Sequence, residues 1–309
     1  MTTLLFMPHQ CFDHDTGDGH PECPDRLRAI DSVLSAELFA FLIRSESGPA
    51  TRQQLERVHD SDYVSRILAY DGCSSSVELD EDTVMSSGSA QAALYAAGAA
   101  CQAVDEVMTG RARNAFCSIR PPGHHAEAAR AMGFCLFNNV AIAALQARAV
   151  HGVTRVAVVD FDVHHGNGVQ GAFWNDENLF YASLHEDGGY PSTGPSEETG
   201  IADNIVNVPL HGDAVSDDMQ QAWTDRVAPR LQAFKPELVI ISAGFDAHQQ
   251  DFMGGLNYST ADFGWLTTKI VEIANACCKG RVVSLLEGGY DLPSLAASVG
   301  VHVKVLMEV

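Results

Sequence analysis

The sequence predicts an α/β fold: one largely parallel β-sheet with helices on both faces. Three observations carry that prediction. Short apolar, β-branched runs recur along the chain and alternate with longer helix-like stretches. Those runs lack the in–out alternation of a half-exposed sheet, as expected for strands buried on both faces. Asp, His and Tyr residues follow several of the runs directly, at the strand ends where ligands bind in open parallel sheets.

Taken in order, the strand-like runs occupy 3–7, 115–119, 155–160, 179–184, 205–209, 238–243 and 281–286. The helix-like stretches between them occupy 25–40, 60–70, 87–109, 131–151, 216–234, 259–278 and 291–307. The alanine-rich segment from Ser89 to Ala103 is a strong helix former. Asp25 is placed to cap a helix beginning at Arg26. No internal repeat or low-complexity linker interrupts the pattern, so residues 1–309 are expected to form a single domain.

Composition narrows the function classes. Hydrophobic residues make up 46% of the chain, enough for a sizeable core. No apolar run reaches the ~18 residues that span a bilayer. The opening MTTLLFMPHQ lacks the basic and long apolar regions of a signal peptide, so a cytoplasmic protein without membrane association is expected. Eight cysteines show no CxxC pairing, which argues against a thiolate zinc site. Net charge is −21, with 19 Lys and Arg against 40 Asp and Glu. That balance opposes nucleic-acid binding, which needs a basic patch. It is compatible with attraction of cationic substrates, or simply with an acidic, soluble surface.

The segment VAVVDFDVHHGNG, residues 156–168, carries the strongest chemical signal. An apolar run leads straight into Asp160, Asp162, His164 and His165. Buried carboxylates and imidazoles cost several kcal/mol unless they are paired or bind a metal. Alternation along an extended backbone turns Asp160, Asp162 and His164 to one side. Asp162 and His164 therefore read as two ligands of a divalent metal, or else as members of a hydrogen-bonded core cluster. A zinc site with an open position needs a third protein ligand. Asp246 in ISAGFDAH, after another run, is the best candidate, although the same residue also reads as a helix N-cap.

His124 and His125 in RPPGHHAE follow two prolines and a glycine, a stiff approach that suits acid–base work. A surface histidine loop is the alternative. Asp160 and Asn167 are each placed to hold one of those imidazoles by its second nitrogen. Tyr290 in LLEGGYDL could donate to a developing oxyanion, or could be a core tyrosine. The loops GFCLFNN (133–139) and GGYPSTG (188–194) offer Gly133, Phe134 and Tyr190 as walls of a narrow channel, or as ordinary core. Ser183 and Leu184, on the next run, could lend oxygens to a hard monovalent cation.

These segments together resemble the zinc-dependent histone deacetylase family of the arginase/deacetylase superfamily. The resemblance rests on GHPECPDRLRAI (19–30), RPPGHHAE (120–127), GFCLFNNVAIAA (133–144), VDFDVHHGNG (159–168), SLHEDGGYPSTG (183–194), SAGFDAH (242–248) and LEGGYDL (286–292), in that order. Asn167, where class I members have Asp, is similar to the class II branch. The chain also resembles bacterial histone deacetylase-like amidohydrolases and acetylpolyamine amidohydrolases.

The resemblance implies a three-layer α/β/α fold with an eight-stranded, mostly parallel sheet. It implies one Zn2+ on Asp162, His164 and Asp246, with His125 as general base and then acid. His124 would be its electrostatic partner, backed by Asp160, and Tyr290 would polarise the substrate carbonyl. A structural K+ would use Asp160, Asp162, His164, Ser183 and Leu184. The histidine pair and Tyr290 match the mononuclear hydrolases rather than the two-manganese arginases. The implied reaction removes an acetyl or other acyl group from an N-acylated amine. Acyl-lysine in a peptide or protein is the first substrate class, and acetylpolyamine is the alternative. Self-association stays open.

Departures bear on the substrate. Tyr290 stands where a nearly inactive vertebrate branch has histidine, so deacetylation of acetyl-lysine is expected. Asp251-Phe252 replaces the family's usual Asp-Pro. Met253 stands near the acidic gatekeeper of polyamine-selective relatives and offers no charge to an ammonium. Pro21-Glu22-Cys23 resembles part of the element that narrows the polyamine enzymes' channel.

Overall fold

A computed structural model describes residues 2–308; Met1 and Val309, the ends of the expected domain, lie outside the described residues. Its strands are β1 (Thr3–Phe6), β2 (Ile43–Ser45), β3 (Val77–Glu78), β4 (Val84–Met85), β5 (Asn114–Cys117), β6 (Val156–Asp160), β7 (Leu179–Glu186), β8 (Ile205–Leu210), β9 (Leu238–Ala243) and β10 (Val282–Leu286). Eight of them form one sheet in the order β2-β1-β5-β10-β9-β6-β7-β8. Every pairing in that sheet is parallel. The remaining two, β3 and β4, make a small antiparallel pair.

Helices Ser89–Met108, Asn139–His151 and Asn167–Phe173 cover one face of the sheet. Helices Asp25–Leu34, Thr260–Cys278 and Leu292–Glu308 cover the other, with Ser216–Ala222 and Ala228–Phe234 at the β8 end. This is the three-layer α/β/α arrangement that the alternating runs predict. Strands β5, β6, β9 and β10 are buried along their whole length. Each fully buried Val, Ile or Leu contributes about 1.5–3 kcal/mol, which offsets the cost of the acids beyond the strand ends.

All seven expected strand runs form strands, and the departures have local causes. The eighth strand of the sheet, β2, escapes the sequence reading because Ile-Arg-Ser at an exposed edge has no apolar run. The stretch expected as helix 131–151 begins only at Asn139. Asn138 caps it by accepting from the Ala141 N–H at 3.0 Å. Before it, Met132 and Cys135 pair across a turn in which Phe134 has φ +67°. The 25–40 helix stops at Leu34 and resumes as a single 3-10 turn at Glu37–Phe39. Asp25 does not cap it: the helix starts at Asp25 itself, and the carboxylate pairs with Arg28 one turn on. The 216–234 helix widens into a π turn at Trp223–Val227, where Pro229 withholds an N–H from the ladder. Glycine-rich Asn167–Phe173, which lies outside the helix-like stretches of the sequence, is a short helix.

Candidate active site and metal centre

Strands β5, β10, β9 and β6 are consecutive neighbours, so their C-terminal ends lie side by side. The loops leaving them carry His124 and His125, then Tyr290, then Asp246, then Asp162 and His164. The sheet order thus assembles at one edge residues that are up to 166 positions apart in sequence, His124 to Tyr290.

Asp162, His164 and Asp246 form a buried cluster in which one ligand atom from each lies within 4.8 Å of the others. His164 Nδ1 is 3.0 Å from Asp162 Oδ1 and 3.2 Å from Asp246 Oδ2. Asp162 Oδ2 accepts the Gly288 N–H at 2.8 Å, and Asp246 Oδ1 accepts the Val163 N–H at 2.9 Å. Asp246 Oδ2 is buried and has no hydrogen-bond partner among the described residues. No helix follows Asp246, so it is not an N-cap. Two carboxylates and an imidazole around one point, with an acceptor left over, fit a small divalent cation.

Electrostatics point the same way. Burial opposes a proton on His164, yet Asp162 and Asp246 outweigh it and hold the imidazole well above its usual range. Burial and repulsion from Asp162 push Asp246 up to about 7. Burial opposes the charge on Asp162 too, but His124 and His164 hold that carboxyl below its ordinary value. Such a cluster carries either a proton or a metal at its centre, and metal binding releases the proton.

The glycines here act through the missing Cβ rather than through unusual φ. None of Gly123, Gly166, Gly244 or Gly288 is in left-handed backbone. A Cβ on Gly244 would strike the Asp162 carboxylate, and one on Gly288 would strike both Asp246 and Asp162. On Gly166 it would lie 2.7 Å from Asp160 Oδ2.

The histidine pair is electrically split. His124 Nδ1 donates to Asp160 Oδ2 at 3.0 Å, and Tyr181 donates to the same oxygen at 3.0 Å. Burial opposes the His124 charge, but Asp162 and Asp160 raise its pKa to about 10. His125 is driven well below its usual value by burial and by the neighbouring His124 and His164. Its Nδ1 donates to Asn167 Oδ1 at 2.9 Å. The Asn167 amide is oriented by its own donation to Glu127 Oε1 at 3.0 Å. Nε2 of His125 is thereby left as a lone-pair acceptor.

A cavity of about 180 Å³ opens over these groups. His124, His125, His164 and Tyr290 line it, together with Gly133, Phe134, Tyr190 and Met253. The Tyr190 ring stands perpendicular to His125 at 5.0 Å, and the Phe134 ring edge-on to Tyr290 at 5.8 Å. Asp82 and Glu186 add carboxylates to the lining. Ser183 lies on β7 opposite Asp160 of β6, with Leu184 beside it; the Ser183 hydroxyl pairs with His185 at 2.9 Å.

The sequence reading gives no role to Arg26, Arg120 or Glu287. Arg26 is buried, donates from Nε to Gly289 O at 2.6 Å and stacks over the Tyr290 ring at 4.9 Å. Glu22 pairs with Arg26 at 3.0 Å and with Arg120, all three fully buried. Glu22 therefore anchors a core ion cluster and does not narrow the channel. The available signals were the four-residue spacing of Glu22 and Arg26 and the position of Arg120 before PPGHH. Asp251 accepts the N–H groups of Tyr290 at 2.6 Å and Asp291 at 3.0 Å, while Phe252 is 68% exposed. Replacing the family's proline with Phe252 thus leaves the aspartate holding the Tyr290 loop.

Known proteins resemble this chain in sequence and fold. A family model for the histone deacetylase domain matches residues 20–306. Histone deacetylase 15 of Arabidopsis thaliana is 41% identical over 93% of this chain, which spans 53% of that protein. The histone deacetylase-like amidohydrolase of Pseudomonas aeruginosa is 37% identical over 88% of this chain and 73% of its own length. The crystal structure of the HDA15 HD domain superposes with a TM-score of 0.94 at 37% identity, covering 99% of this chain and 88% of that one. With a family model across nearly its whole length and the same α/β sheet beneath the site, the chain belongs to the histone deacetylase family and is a hydrolase of amide bonds.

Proposed function

We propose that the chain, as a single catalytic domain over residues 1–309, is a cytoplasmic zinc-dependent deacylase that removes acetyl or a related acyl group from lysine side chains. The observation that carries this reading is a neutral His125 beside a charged His124, facing the three-ligand cluster and Tyr290 across a narrow cavity. Asp162, His164 and Asp246 would hold the zinc, which when bound supplies Lewis acidity to the carbonyl and acidifies water. His125 Nε2 takes the proton of the attacking water, and its Nδ1–H stays on Asn167. The imidazolium so formed returns a proton to the departing amine. His124, held on Asp160, keeps positive charge beside the forming oxyanion, and the Tyr290 phenol donates to it. Phe134, Tyr190 and Met253 sheath the aliphatic arm and exclude water. Potassium on Asp160, Asp162, His164, Ser183 and Leu184 belongs to the same reading. In support of it, Asp160 and Ser183 are register partners on adjacent strands.

A second reading, acetylpolyamine hydrolysis, has Asp82 and Glu186 at the cavity in its favour and uncharged Met253 against it. The test compares kcat/KM of zinc-loaded protein on an acetyl-lysine peptide and on acetylputrescine. Preference for the peptide supports the first reading. Preference for acetylputrescine replaces it with the second, and no turnover of either removes both.

A further inference from the structure

We propose that Glu287 is a positioning residue that sets the histidine pair against the Tyr290 loop; this rests on the deacylase reading above. Glu287 leaves the end of β10 fully buried. Its Oε2 accepts two successive N–H groups of the neighbouring loop, Gly123 at 2.7 Å and His124 at 3.1 Å. One oxygen therefore fixes the backbone immediately before His125. The same short segment continues into Gly288, which closes over the metal-binding carboxylates, and Tyr290.

Both ends of this tie are stiff. The Glu287 N–H donates to Ala243 O at 2.9 Å, and its carbonyl accepts from buried Arg26. On the far side, Gly123 lies so close to Asn139 and Phe137 that a Cβ there would meet the Asn139 nitrogen at 2.5 Å. A single side chain thus sets the separation of the loops bearing the proton acceptor and the phenol.

A merely space-filling role does not account for this residue. Burying a carboxylate costs several kcal/mol, and here the second oxygen, Oε1, has no hydrogen-bond partner among the described residues. An apolar side chain would fill the volume without that cost, but it would orphan two N–H groups beside the imidazoles. Burial pushes the acid up to about 7, so the oxygen acceptor, rather than full charge, is the feature glutamine can reproduce.

The test compares Glu287→Gln, Glu287→Leu and Glu287→Asp in the full chain, with metal content and thermal melting measured beside kcat and KM on an acetyl-lysine peptide. Gln keeps the acceptor, and its kcat is expected within about threefold of wild type. Leu removes the acceptor and Asp withdraws it by one methylene. Their kcat is expected to fall about 30-fold and about 10-fold, with KM within twofold and one metal per chain, because misplacement near 1 Å costs on the order of 100-fold. If Leu does not fold, Asp against Gln decides. A folded, metal-loaded Leu or Asp variant with kcat within threefold of wild type overturns the proposal, as does a Gln variant no better than Leu. An inactive wild type removes the deacylase reading itself, whereas an active wild type with indifferent Glu287 variants removes this inference alone.

Discussion

Gly288→Ala is a one-carbon test of the metal centre. The residue is not in left-handed backbone, so alanine introduces no conformational strain there. The new Cβ would lie 2.6 Å from Asp162 Oδ2 and 2.7 Å from Asp246 Cγ, and closer still to Asp246 Oδ2. Ordinary carbon–oxygen contacts sit near 3.4 Å, so Asp162 Oδ2 must retreat by about 0.8 Å and Asp246 Oδ2 by more than that. Metal–ligand bonds tolerate about 0.2 Å. Neither carboxylate has slack, since Asp162 is held by the Gly288 N–H and Asp246 by the Val163 N–H. Zinc affinity should therefore fall by about 10–100-fold, the range seen when groups around metal ligands are disturbed. Competition with a chromophoric chelator measures it, and activity at limiting zinc should fall in parallel. Gly171→Ala is the control: its Cβ meets nothing within 4 Å in helix Asn167–Phe173, and it should be neutral or stabilising by up to ~1 kcal/mol. A Gly288→Ala protein that binds zinc with wild-type affinity would refute Asp162 and Asp246 as ligands at this point.

Three other outcomes are expected. His125→Ala and Tyr290→Phe should each lower kcat by at least ~100-fold with zinc content unchanged, and near-normal turnover would remove that residue from its role. Glu22→Gln leaves the Arg26 and Arg120 guanidinium groups buried without their carboxylate, which should cost about 3–5 kcal/mol in urea unfolding; a loss under ~1 kcal/mol would contradict the ion cluster. Burial pushes His302, which sits between Thr267 and Ser284, down to about 3. The unfolded chain takes up that proton near pH 6.5 and the folded chain does not, so this stability is complete above ~6.5 and lost as pH falls towards 3. By pH 5 the loss is about 2 kcal/mol, and His302→Asn should flatten unfolding free energy between pH 7 and 5 by that amount; an unchanged slope counts against it.

Seven strands and the order of the major helices are legible in the sequence because long apolar runs are local signals. Edge strand β2 is not, since its three half-exposed residues pair only because β1 offers a partner. The late start of helix Asn139–His151 is likewise tertiary, with the turn before it shaping the cavity wall at Phe134. Asp162 and His164 announce themselves by position, charged groups directly after an apolar strand. Asp246, alone, reads equally as a helix cap, and only the adjacency of β9 and β6 brings it to the candidate metal cluster with Asp162 and His164.

The identity of the reactive side chains is a matter of sequence, because residue type sets what each can donate, accept or bind. Their electrical roles come from the tertiary structure. His124 and His125 are neighbours of the same kind, yet Asp160 and Asp162 charge the first, while burial among other imidazoles keeps the second neutral. Glu287 carries no local mark, since the N–H groups it holds lie as far as 164 residues away, and the faint marks on Glu22 and Arg120 do not reveal that the two meet across 98 residues. Local periodicity reports which face is apolar; which charges meet across a parallel sheet is decided by strand order, and strand order is a property of the folded chain.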